Sequence, residues 1–320
     1  MTESLLSTVK TPVAGEPDEV ATVHVRSAVA RIWRRPEARF GLLVAGVITV
    51  LALAAPLFAV ITGHGPNDQF ASTGLSPEGL PVGPGGEFWF GTDGNGRDVF
   101  VRTLYGLRVS LLVGVPATTI AMLFGTVVGL VSGYFGGIVD RLLSQLIDVV
   151  LSFPFILTAL TLITLNRTSE GGAILNPALL VILVIVTFAW TYFARLTRGM
   201  VQELRSRPFV EAARTLGAGD FRILAREILP SVIPAVVVYW AVQLPQNIVA
   251  EATLSFLGVG VVPPNPSLGN IISDAQSSTL YQTQPWYLIG PAVMLFMTVL
   301  AFNAISGGIR DVLDPHSHAR

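Results

Sequence analysis

The strongest constraint in this sequence is a set of long stretches from which charge is missing. Residues 40–61 hold no charged side chain, and 109–139 hold none. Residues 142–165 carry a single charge, Asp148, while 171–194, 228–250 and 286–309 carry none. About 20 apolar residues let a helix cross ~30 Å of hydrocarbon. A segment in lipid has to satisfy its own backbone hydrogen bonds, which a helix does. The runs therefore predict an all-α integral membrane fold with six transmembrane helices. Composition agrees: 51% of the chain is hydrophobic and 13% charged, against about 25% charged in soluble domains.

The first run sits behind a mostly polar stretch and is too long for a cleaved signal, although Ala52-Leu53-Ala54 resembles a cleavage site. With the N-terminus placed inside, only Arg97, Arg102, Arg108 and Arg167 of the 20 basic residues fall outside. Basic residues accumulate on the cytoplasmic side, so both termini are expected to be cytoplasmic. The chain then divides into a disordered tail (1–25), a basic surface helix touching lipid (26–39) and a first transmembrane helix (40–61). An extracytoplasmic loop (62–107), a five-helix core (108–309) and a cytoplasmic tail (310–320) follow. A second outer loop is expected at about 257–285. The net charge of −1 gives no bulk attraction to nucleic acid. The lack of cysteine excludes disulfides, thiol nucleophiles and iron–sulfur clusters.

The most charged inner segment lies between the fourth and fifth runs. Ser206 can cap a helix that Pro208 tolerates in its first turn. Phe209, Ala212, Ala213 and Leu216 then fall on one apolar face, with Glu211 and Arg214 three apart on the other side. Gly217 and Gly219 end this helix, Gly217 as a left-handed cap. Asp220 is expected to cap a second helix over 221–229, which Pro230 interrupts. In the first outer loop, Asp93 to Asn95 predicts a turn and Asp98 pairs with Arg102 at i,i+4 on a following helix. Asp93-x-Asn95 opens like a calcium loop, but Arg97, Asp98 and Leu104 stand where ligand, glycine and closing glutamate belong, so no metal is expected.

Gly125, Gly129 and Gly133 recur every four residues, a spacing that lets helices pack closely. Gly133 to Gly137 is expected to form an inner turn. Asp148, Gln243, Asn247, Glu251 and Asn303 are polar groups at membrane depth, where they serve interhelical bonding or a translocation path. Glu251 is placed where solvent reaches it. Pro154, Pro234 and Pro245 are expected to bend their helices. No phosphate-binding loop is present, because Lys10-Thr11 lacks the upstream glycines. No catalytic constellation appears, so no enzyme activity is expected of this chain.

Glu211-Ala212-Ala213, then Gly217, then Ile228-Leu229-Pro230 resembles the EAA loop of ABC importer permeases, departing from it at Glu227. Phe90-Gly91-Thr92-Asp93-Gly94-Asn95-Gly96-Arg97-Asp98 resembles the N-terminal signature of C-type permeases for dipeptides and oligopeptides. So do Glu251-Ala252-Thr253-Leu254-Ser255-Phe256-Leu257-Gly258, Pro263-Pro264, and the ending Arg310-Asp311-Val312-Leu313-Asp314-Pro315. The resemblance covers about residues 30–315. It implies a type I importer permease working by alternating access in the bacterial inner membrane. It further implies a B-type permease partner, two ATPase subunits that bind ATP and Mg, and an extracytoplasmic solute-binding protein. Phe209, Glu211, Ala212, Ala213, Leu216, Gly217 and Asp220 would couple to the ATPase. Asp93, Arg97, Asp98, Pro263 and Pro264 would serve binding-protein docking or an outer gate. Asp148, Gln243, Asn247 and Glu251 are candidates for the path. Related permeases serve nickel, and a self-contained ion-coupled transporter is the competing class. Neither paired repeats nor clustered intramembrane acids support that class.

Overall fold

A computed structural model describes residues 35–166, 174–277 and 282–313. The expected tail 1–25, most of the 26–39 surface helix and most of the 310–320 tail lie outside the described residues. The described residues form helices joined by turns. These are α1 (Pro36–Leu53), α2 (Ala55–Thr62), α3 (Val99–Phe135), α4 (Gly137–Ser152), α5 (Phe155–Leu165) and α6 (Pro177–Leu204). They continue with α7 (Pro208–Thr215), α8 (Asp220–Phe256), α9 (Leu268–Ser277) and α10 (Trp286–Leu313). Five of them are long and apolar enough to cross a membrane. A sixth span results if α4 and α5 are one broken helix, bent by 78°.

The breaks follow from the sequence. Pro36 and Pro177 open α1 and α6, where a missing N–H costs nothing. Pro154 stands between α4 and α5; a proline disfavours helical backbone in the residue before it, and Phe153 is extended. Pro234 and Pro245 lie inside α8, as do Pro116 in α3 and Pro291 in α10. The helix α3 is 37 residues long, about 55 Å at 1.5 Å per residue. It begins ten residues before the uncharged run does, because Arg102 and Arg108 interrupt the run without ending the helix. It continues through Gly133, and the turn is confined to Gly136 and Gly137, both at positive φ.

The α8 helix departs further from expectation. Pro230 does not stop it; residues 223–228 form a π-helical turn that runs directly into the long span. Proline has no N–H and crowds the carbonyl four residues back. A wider turn just ahead of Pro230 accommodates both defects.

The centre of the bundle is α3 against α6. A Cβ on Gly129 would stand 2.6 Å from the Ala194 carbonyl oxygen and from Thr197 Cβ, and one on Gly133 2.8 Å from the Arg198 oxygen. A Cβ on Gly125 would run into the Trp190 oxygen. The α1 helix lies on α10 in the same way, with Gly41 against Ala301. Close backbones gain dispersion contacts, which drive helix association where lipid removes the hydrophobic term.

Candidate functional site

Three places hold the residues singled out in the sequence: the α7 loop, the opposite end of the bundle, and a cavity between them.

The α7 loop is a helical bracket with one buried and one open face. Ser206 does not cap α7. Its hydroxyl donates to the Glu203 backbone oxygen of the preceding turn, and Arg207 holds the cap position with its guanidinium turned to the Glu203 carboxylate rather than capping the helix. The face that packs inward is built on Val210, which is fully buried with Ile223 and Ile228. Phe209 and Leu216 point away from it, and Leu216 is 88% exposed. Phe221, at the start of α8, is 85% exposed. Glu211 and Ala212 are exposed and Ala213 is half-buried. The end of α7 is fixed by two reverse hydrogen bonds: Gly217 N–H donates to Arg214 O and Ala218 N–H to Ala213 O, both at 3.0 Å. That pattern requires a left-handed residue at Gly217, whose φ is +82°.

Asp220 caps nothing. Its carboxylate accepts from the Tyr134 hydroxyl at 2.7 Å, and Arg214 reaches the same hydroxyl at 3.5 Å. Arg214 therefore turns to Tyr134 rather than bonding Glu211, and this hydroxyl raises the guanidinium's pKa further. One side chain at the end of α3 thus ties both halves of the loop to the bundle. A second tie lies alongside. Asp140 of α4 accepts from Arg198 Nη2 at 2.7 Å, Ser132 at 2.5 Å and Gln202 at 3.3 Å. Sequence reasoning missed Tyr134, Asp140 and Arg198. Their partners are distant in the chain, and only the gathering of charge at helix ends hinted at them.

At the opposite end, the first outer loop closes over α3. The expected Asp98–Arg102 pair does not form. Asp98 caps α3, accepting from the Phe100 and Val101 N–H groups, and its second oxygen lies 2.7 Å from His64 Nδ1. Those three partners hold the carboxylate turned toward the cap and His64. Arg102 instead lies 3.3 Å from Asp93, which also accepts from Arg97 Nε at 2.7 Å. Arg102 Nη1 donates to Pro66 O at 2.8 Å and reaches Pro264 O at 3.5 Å. Arg97 reaches Asp274 of α9 at 3.8 Å. Burial raises the Asp274 pKa, opposed by Arg97. Asp93, Arg97 and Asp98 are buried, so their side chains have no surface to offer a docking protein. Pro263 and Pro264, in the loop that Arg102 reaches, are exposed. His64, stacked on Phe88 and tilted against Phe70, is a member of this clasp that the sequence did not reveal.

The third place is a cavity of about 400 Å³ between α5, α6 and α8. Phe155, Phe188 and Tyr192 supply aromatic walls, and Gln243, Gln246 and Asn247 supply amides. Asn247 also donates to Thr118 at 2.8 Å, bonding α8 to α3. Asp148 lies beyond the wall, paired with Arg195. Glu251 is not at the cavity and is not reached by solvent. It is fully buried and accepts from Ser110, Ser255 and Ser267 at 2.7 to 2.9 Å. It joins α3, α8 and the start of α9. Asn303 lies exposed on α10.

Spanning helices, an uncharged cavity among them and an end loop that exposes large apolar side chains define a membrane transport subunit. Residues 125–318 match the family described as the binding-protein-dependent transport system inner membrane component, and the chain belongs to that family. It is a non-catalytic, multi-pass permease subunit of a bacterial ABC importer, and ATP is hydrolysed in partner subunits. The glutathione transport system permease protein GsiD of Pectobacterium atrosepticum is 35% identical over 91% of this chain and 92% of that protein. The GsiD proteins of Escherichia coli O157:H7 and Shigella sonnei are 36% identical over 91% and 92%. Among solved structures, an amino acid ABC transporter aligns with 65% of this chain and 93% of its own at 20% identity and TM-score 0.47. The inward-facing methionine transporter MetNI aligns with 64% and 94% at 22% identity and TM-score 0.45.

Proposed function

We propose that this chain is the permease subunit of an importer of short peptides, with its termini and the 206–230 loop on the cytoplasmic face. The observation that carries the coupling role is the open face of the loop. Phe209, Leu216 and Phe221 are exposed beside a fully buried Val210 and a fixed helix end. Exposed apolar side chains on a rigid support mark a protein contact, and the absence of a phosphate-binding loop makes a separate ATPase the natural occupant. ATP and Mg²⁺ bind in two such subunits, whose closure pushes the loop. A homologous B-type permease completes the pathway, and a solute-binding protein docks at the outer loops near Pro263 and Pro264.

Two features support a peptide as the solute. The relatives about 35% identical are named for glutathione transport, and glutathione is a tripeptide. The cavity is at the small end of ligand sites, which run about 300–1,000 Å³, and its amides can bond a peptide backbone whatever its side chains. The test is uptake of radiolabelled glutathione into proteoliposomes holding this chain, its partner permease and the ATPases, with binding protein outside. The reading expects uptake that needs ATP and the ATPases. Uptake by this chain alone would make it a self-contained carrier and overturn the reading. Uptake of chelated nickel but not of glutathione would keep the permease role and change the solute.

A further inference from the structure

A charge pair lies about one helical turn beyond the α6 wall of the cavity. Ile185, Phe188, Ala189 and Tyr192 give α6's wall of the cavity at the spacing of one helix face. The next position on that face, toward α7, is Arg195. Its Nη2 donates to Asp148 Oδ1 on α4 at 2.6 Å. The wall itself carries amides and aromatics and no charge, so charge begins where the cavity ends, and it begins neutralised.

This pair differs from its neighbour. The Asp140–Arg198 pair is reinforced by Ser132 and Gln202 and is largely covered. The side chains of Arg195 and Asp148 keep 51% and 69% of their exposure. Ion pairs this open are worth ~0.2–1 kcal/mol in water and exchange partners readily. Facing hydrocarbon they would be costly, so their open side belongs to water or protein. Asp148 also precedes the 78° bend at Phe153–Pro154, and Phe155, just beyond it, lines the cavity. Motion at the bend shifts Asp148 against Arg195.

We infer that Asp148 and Arg195 form a displaceable charge gate at the cytoplasmic mouth of the cavity, opened by a solute carrying both a carboxylate and an ammonium group. The carboxylate takes Arg195 and the ammonium takes Asp148, so one ion pair becomes two and no charge is left unpaired. The gate rests on the reading of the cavity as part of the translocation path.

The chain's lack of cysteine supplies the test. In the assembled importer in inside-out vesicles, Gln246→Cys on the cavity wall is labelled with an impermeant thiol reagent. Neutralising either partner, with Asp148→Asn or Arg195→Gln, should speed labelling about two- to fivefold, the range an open ion pair can hold. The reversed pair, Asp148→Arg with Arg195→Asp, should restore the slow rate. Excess dialanine should slow labelling in the unneutralised background by lying across the mouth, and uncharged N-acetylalaninamide should not. Equal rates in all backgrounds, or equal effects of the two solutes, would overturn the gate alone. No labelling in any background would remove the cavity from the path and the gate with it. Loss of the partner permease on purification of Asp148→Asn would make the pair a subunit contact, which also overturns the gate.

Discussion

Single atoms decide how closely the central helices approach. Gly129 faces backbone and Cβ atoms of α6, none of which can swing aside, whereas Gly46 on α1 has nothing within 4 Å of a built Cβ. Overpacking a tight contact costs ~1–3 kcal/mol. Gly129→Ala should therefore lower the melting temperature of the detergent-solubilised complex by several degrees, while Gly46→Ala leaves it unchanged. Asp93 provides a second residue-scale test. It is the anion between Arg97 and Arg102, and Arg102 is 1% exposed. Breaking a buried pair from one side costs ~3–5 kcal/mol. Asp93→Asn should loosen the 63–98 loop, seen as new protease cleavage there, with the spans still inserted. The glycine stripe was legible in the sequence because its spacing is local. The Arg102 partner was not, because i,i+4 spacing favours Asp98 unless that carboxylate is already turned toward a helix cap and His64.

Among the elements, α7 and the start of α8 act as one bracket, and one glycine sets its angle. Gly217 sits at φ +82° with no neighbour crowding it, whereas Gly219 is extended at φ −73°. A left-handed position costs a residue with a Cβ roughly 1–2 kcal/mol. Gly217→Val should cut ATP-driven uptake severalfold while membrane insertion is kept, and Gly219→Ala should leave both unchanged; uptake and membrane abundance are measured side by side. Helix spacing showed that a helix lies here and that Gly217 ends it. Which side of the helix is buried was not legible. Val210 directly follows Phe209 in the sequence, and only the packing of Ile223 and Ile228 against Val210 separates the covered face from the open one. The π-helical entry to α8 was equally hidden, since a proline reads as a stop until the turn before it widens.

For the whole molecule, the ties run from the open loop to the bundle without a gap. Asp220 and Arg214 hold Tyr134 on α3, and Asp140 on α4 holds Arg198 and Gln202 on α6. The α6 helix then carries the cavity wall and Arg195. On the proposed coupling role, these ties would carry a push on the loop to the helices that line the cavity. The spanning architecture was legible from uncharged runs because lipid imposes one solution on them. The role of Glu251 was legible only as a choice between interhelical bonding and a path; its burial and three serine partners fit interhelical bonding between three elements. The measurement that bears most directly on this account is co-purification of the ATPase with the double variant Leu216→Asp, Phe221→Asp. Both side chains are exposed in this chain, so the variant should insert, fold and keep its partner permease. Burying each at a contact is worth ~1.5–3 kcal/mol, so the account predicts loss of the ATPase from the purified complex and loss of ATP-driven uptake. An ATPase retained in full, with uptake at the unaltered rate, would contradict it.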